Sequence, residues 1–130
     1  MSRVFEFSIA ELPPTMNVIK RMHWAKYGRT RNQIAWLVRV ALAGHQLPDD
    51  PIKRCEITVV RYARRLLDED NLPSSAKIIL DVLQPISKRN PSGIGVIYSD
   101  APEFARVHVK QEKVGKADVR MVVRIEELAA

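Results

Sequence analysis

The sequence predicts an α+β domain in which one mixed β-sheet packs against two main helices, in the rough order β-α-β-α-β-β-β. Three observations predict it. Apolar residues alternate with polar ones in several separate stretches. Between the first two of these the repeat lengthens to the helical period. Turn-forming clusters rich in Pro, Gly and Asp separate the stretches. The 130 residues favour a single domain spanning positions 1–130.

The elements follow in order. Over residues 4–10, Phe5, Phe7 and Ile9 face one way and Glu6 and Ser8 the other, as in a half-buried strand. Pro13 and Pro14 end it, because neither can donate to a ladder. Residues 18–30 are basic and lack a clear period, and read as a loop leading into a helix. From Thr30 to His45 the apolar positions Ile34, Leu37, Val38, Ala41 and Leu42 make one helical stripe. Thr30 suits the N-cap and Gly44 the C-terminal stop. Residues 52–62 read as a strand. A second helix is expected from Pro73 to Gln84, closed by Pro85. Residues 96–98 suggest a brief strand ending at Asp100. Residues 106–114 and 118–126 both alternate, and Gly115-Lys116 between them suggests a hairpin.

Composition narrows the function. Lys and Arg number 21 against 15 Asp and Glu, a formal net charge of +6. Such a chain is drawn to polyanions, nucleic acids first. Cys55 is the one cysteine, so no internal disulfide exists, and its place in a strand suggests a core residue. No apolar run approaches a membrane span, and the first ten residues do not resemble a signal peptide. The expectation is a soluble, cytoplasmic protein with no membrane partner.

The most informative segment is Asp68-Glu69-Asp70-Asn71. If it is extended, Asp68 and Asp70 point the same way. Their mutual repulsion would then be relieved by a divalent cation of the hard, oxygen-seeking kind. A plainer account is an acidic turn that caps the following helix. Lys77 offers a cation for phosphate charge, or else an i,i+4 ion pair with Asp81. Arg61, Arg64 and Arg65 directly precede the acids and suit backbone phosphates. Lys20, Arg21, Lys26, Arg29 and Arg31 interleave with Trp24 and Tyr27, which either stack on unpaired bases or pack internally. Trp36 lies off the apolar stripe and suggests a second contact, such as a dimer interface. Lys110, Lys113 and Lys116 either line a DNA path or protect an edge strand. His23, His45 and His108 have no metal-ligand spacing.

Four motifs in order resemble the RusA family of Holliday-junction resolvases. Leu12-Pro13-Pro14-Thr15-Met16-Asn17 is similar to its L-P-P-[ST]-x-N signature. Asp68-x-Asp70-Asn71-Leu72 is similar to D-x-D-N-L, and Lys77-x-x-x-Asp81-x-Leu83 to K-x-x-x-D-[AG]-L. Ile97-Tyr98-Ser99-Asp100 is similar to a hydrophobic-x-D-D segment. The resemblance implies a homodimer that nicks opposing strands of a four-way DNA junction, in the manner of phage and prophage relatives. It implies Mg²⁺ or Mn²⁺ held by Asp68, Asp70 and Asp100, with Lys77 in a catalytic role. Asn17 and Asn71 are expected to order the substrate loops, Asn17 through an Asx-type turn or through the substrate itself. Two departures stand out. Ser74 occupies the family's usual lysine position, with Lys77 three residues later, and Ser99 replaces the first of two aspartates. They leave open a RusA-like module that binds branched DNA without cutting it, beside a small basic structural protein.

Overall fold

The computed structural model describes residues 3–129; Met1, Ser2 and Ala130, the ends of the expected domain, lie outside the described residues. Four strands form one mixed sheet: β1 (Val4–Ile9), β2 (Cys55–Ala63), β3 (Ala105–Lys113) and β4 (Arg120–Glu127). Their spatial order is β1-β4-β2-β3. β4 runs antiparallel to both β1 and β2, whereas β2 and β3 are parallel. The helices are a single turn, α1 (Met16–Ile19), the long α2 (Trp24–Leu42) and α3 (Lys77–Leu83). The α+β class and the mixed sheet are those the alternation predicts.

One face of the sheet makes the core. Phe5, Phe7 and Ile9 of β1, Cys55, Ile57 and Val59 of β2, and Met121, Val123 and Ile125 of β4 are all buried. They meet Ile34, Ala35, Val38 and Leu42 of α2 and Ile78, Ile79, Val82 and Leu83 of α3. Removing any of these large aliphatic side chains costs about 2–5 kcal/mol. The other face carries Glu6, Glu56, Arg124 and Glu126, with the Arg120 guanidinium 4.1 Å from the centre of the Tyr62 ring.

Four local expectations are corrected. First, the hairpin of the last two strands does not form, because β2 lies on the far side of β4 from β1 and keeps β3 beyond it. β2 is fully buried at Ile57 and Val59 and takes a neighbour on each side. β3 bears Lys110, Glu112 and Lys113 on exposed positions and takes the edge, where charges block further pairing. The link from β3 to β4 is a 3₁₀ turn (Lys116–Asp118).

Second, α2 begins at Trp24, not near Thr30, so half of the expected basic loop is helical. His23 is its N-cap, accepting from the Ala25 N–H at 3.2 Å through Nδ1. The first turns hold good helix formers such as Ala25, Lys26 and Arg29 but bury no residue before Ile34, so no apolar stripe announced them. The helix ends at Leu42, two residues before Gly44 and close to expectation.

Third, the second helix is split. Pro73–Ala76 is a 3₁₀ turn with the proline in its first positions, and α3 ends at Leu83. Fourth, the brief strand at residues 96–98 reduces to one isolated parallel bridge between Ile52 and Ile97. The chain there is occupied in closing α3. Ile94, Val96 and Ile97 donate backbone N–H groups to Val82 and Leu83 carbonyls at 2.8–3.1 Å. Those carbonyls lack helical partners, so the loop supplies what the helix end requires. Gly93 permits the approach, since a Cβ there would stand 2.5 Å from the Gln84 oxygen.

Candidate nuclease site

All of Asp68, Asp70, Lys77, Asp81 and Asp100 lie on the excursion that leaves β2 at Ala63 and returns at Ala105. Its start is anchored against the edge strand. Gln111 of β3 accepts from the Leu67 N–H and donates to the Leu67 carbonyl, both at 2.9 Å. Beyond Leu67 the segment is a turn, not the extended stretch that would align Asp68 with Asp70. The Asp68 carbonyl accepts from both Asn71 and Leu72 at 3.0 Å, which rolls the backbone into a single helical turn. The period-two argument for converging carboxylates therefore fails here. Both side chains are exposed.

The plainer capping account fails as well. Leu72 is the N-cap of the 3₁₀ turn and Ala76 that of α3, and neither receives a side-chain capping hydrogen bond. Asp68 and Asp70 make no capping hydrogen bond to the helix start.

The proline motif meets this turn directly. Asn17 Nδ2 donates to Asn71 Oδ1 at 2.8 Å. Ser74 Oγ accepts from the Met16 N–H at 3.2 Å and donates to the Asn71 carbonyl at 2.9 Å. Ser74 is thus the staple between the proline motif and the acidic turn. Ser75 turns inward, is buried, and donates to the Leu72 carbonyl.

Lys77 opens α3 with its ammonium 2.9 Å from Asp81 Oδ1 and 3.8 Å from Asp100 Oδ2. Burial pulls this ammonium down. The hydrogen bond to Asp81 and the charges of Asp81 and Asp100 outweigh that and raise it above 10.5. It stays protonated at any physiological pH. Asp81 was legible as the i+4 ion-pair partner and as part of the lysine-helix motif, and it emerges as the closest acidic neighbour of Lys77. Tyr27 also acts on the Lys77 charge, from the first turn of α2.

Next to this pair lies a cleft of about 500 Å³ lined by Tyr27, Arg31, Asp81, Gln84, Arg89 and Asn90. Arg31 rests over the Tyr27 ring at 5.7 Å, and its buried Nε has no hydrogen-bond partner. Asn90 closes one side, donating to the Asp81 carbonyl at 2.6 Å. Arg89 carried no signal in the sequence beyond its charge. Arg61, Arg64 and Arg65 line a second cleft with Leu12 and Val119. Arg61 points to the core side of β2, donates to the Arg65 carbonyl at 3.0 Å, and has its pKa lowered by burial. Lys20 and Arg21 are exposed in the turn between α1 and α2, and Lys26 and Arg29 are exposed in the first turns of α2. Trp24 is 80% exposed, which rules out the packed alternative for that ring.

As arranged, no three His, Cys, Asp or Glu side chains among the described residues form a group for one metal ion. Asp100 is turned to Lys77, while Asp68 and Asp70 stand free on the turn. The donor chemistry nevertheless suits Mg²⁺, which commonly takes one or two protein carboxylates and fills the rest with water and phosphate oxygens. Among the described residues no helix is long and apolar enough to cross a membrane. Neither the models of known protein families nor the curated proteins give a match to this chain.

Proposed function

We propose that the chain is a RusA-like, Mg²⁺- or Mn²⁺-dependent endonuclease that resolves four-way and other branched DNA by paired nicks, working in the cytoplasm as a homodimer. One observation carries the reading. The proline motif, the acidic turn and the lysine helix, far apart in sequence, are joined by the Asn17–Asn71 and Met16–Ser74 hydrogen bonds and lead to the Lys77–Asp100 pair. The Lys77 ammonium sits between Asp81 and Asp100 at the edge of an arginine-lined cleft, an arrangement that suits phosphate chemistry.

Asp68, Asp70 and Asp100 would hold the metal. The chemistry such an ion supplies is Lewis-acid charge beside the scissile phosphate. Lys77 keeps its proton and presents a fixed positive charge to the phosphate oxygens. Arg31 and Arg89 in the near cleft, and Arg61, Arg64 and Arg65 in the other, bind flanking phosphates. Such contacts position the strand and carry no base code, so shape governs selection.

A second reading has its own observation. Asp100 is already paired with Lys77, so a chain that keeps this pair closed binds junctions and leaves them uncut. A synthetic four-way junction and a linear duplex of the same sequence, each with Mg²⁺, Mn²⁺ or EDTA, decide between them. Paired, metal-dependent nicks confined to the junction, lost in Asp70→Asn with binding retained, are expected. Tight binding without nicks under either metal overturns the nuclease in favour of the binding module.

A further inference from the structure

The excess charge of this protein is confined to one segment. Between Glu11 and Asp49 there is no acidic residue, and the cations there are Lys20, Arg21, Lys26, Arg29, Arg31 and Arg39. These six equal the formal net charge of +6, so the rest of the chain balances to zero. The structure folds this acid-free segment into α1 and α2 and leaves two large apolar side chains bare at their junction, Val18 at 50% and Trp24 at 80% exposure. An indole left this open gains nothing for the fold.

Its surroundings hold it in place. The His23 ring is fixed by accepting the Ala25 N–H, and the Trp24 ring lies against it with centroids 5.3 Å apart and planes 34° from parallel. The result is a two-ring platform flanked by Lys20, Arg21 and Lys26. One turn along the same helix face, Tyr27 stands close enough to Lys77 to act on its charge. Tyr27 lines the same cleft as Asp81, the Lys77 partner, so the platform lies one helical turn from that cleft.

We infer that Trp24, backed by His23, is a stacking platform for an unpaired nucleobase, with the surrounding cations on the phosphates of the same strand. Aromatic faces take any base and a basic border takes the backbone, so the ligand is unpaired strand and not duplex. The inference rests on the nucleic-acid reading above and adds to it the feature that distinguishes a branch point from ordinary duplex.

The test uses the full chain carrying Trp36→Phe, so that Trp24 alone emits. It is titrated in EDTA with oligo(dT), oligo(rU) and a blunt duplex of equal length. Stacking predicts quenching by oligo(dT), weak or no quenching by the duplex, and about tenfold weaker oligo(dT) binding by anisotropy in Trp24→Ala, with Trp24→Phe retaining most of the affinity. Weaker quenching by oligo(rU) ties the platform to DNA, and equal quenching extends it to both. An unquenched Trp24, or equal oligo(dT) affinity in Trp24→Ala and its parent, overturns the platform. Junction cleavage that survives Trp24→Ala with no change in affinity overturns it alone and leaves the nuclease standing. Quenching by oligo(dT) in a chain that never cuts keeps the platform and removes the nuclease.

Discussion

Asn17 donates its side-chain amide to the Asn71 side-chain oxygen across 2.8 Å, and so fastens the turn after the proline motif to the turn that bears Asp68 and Asp70. Each asparagine sits on a short, exposed segment with little buried surface of its own. Replacing either by Ala is expected to cost on the order of 0.5–1 kcal/mol. The double variant should cost less than the sum, a coupling readable from urea midpoints in a double-mutant cycle. Junction cleavage should fall in both single variants alike, whereas equal stability with unaltered cleavage in Asn17→Ala would detach this bond from the site.

The Lys77 ammonium gives a pH signature. Its folded pKa is raised above 10.5, so the stability it contributes is fully present below about pH 10 and is lost as the pH climbs through the raised value. Asp81→Asn removes the main source of the shift. The gap in urea midpoint between parent and variant should hold steady from about pH 7 to about pH 9 and close above that. A gap that instead drifts between about pH 7 and about pH 9 would assign the pair's stabilisation to another group.

Gly93 is where the loop after α3 crosses closest to the helix end. A Cβ at this position would meet the Gln84 oxygen at 2.5 Å and the Pro85 carbonyl carbon at 2.6 Å, all backbone. Gly93→Ala should therefore destabilise the fold by about 1–3 kcal/mol. It should also displace Asp100, which the same loop delivers to Lys77. Gly115→Ala, where nothing stands within 4 Å, is the control and should melt like the parent. Equal melting of the two variants would mean that the crossing relaxes freely.

Cys55 is buried at the start of β2, and burial pushes its thiol up to about 11. Native protein at neutral pH should resist thiol reagents and react at the rate of unfolding. Rapid modification of folded protein would place the thiol at a surface.

How much of this was legible follows from what a periodic pattern can encode. Alternation at Phe5-Phe7-Ile9 and at Ile57-Val59 reports which face is buried, and both faces are as expected. Alternation does not name the partner strand, which is why residues 106–114 and 118–126 read as a hairpin although β2 separates them from one another. The stripe from Ile34 to Leu42 marked the buried half of α2, and its exposed basic half from Trp24 gave no stripe to see. At the candidate site, the motif order singled out Asn17, Asn71, Lys77 and Asp100, and the fold pairs Asn17 with Asn71 and Lys77 with Asp100. That Asp68 and Asp70 lie on a closed turn depends on two hydrogen bonds to one carbonyl, which residue identities do not specify. The Lys77–Asp81 spacing was visible, but the approach of Asp100 depends on the loop around Gly93.

The parallel pairing of β2 with β3 has a kinetic consequence. Adjacent parallel strands cannot be joined by a tight turn, and here the connection is the whole excursion that carries the acids and the lysine. Closing so long a segment is entropically costly before any of its contacts form. Pairing β2 with β4 closes the still longer stretch from Ala63 to Arg120, and α3 on the excursion supplies part of the core, so the whole sheet shares this cost. Docking of the edge strand is then the event that brings Leu67 to Gln111 and sets the acidic turn in place. Refolding followed at the core and at the turn should therefore report the same slow step, because neither is complete until the excursion is closed.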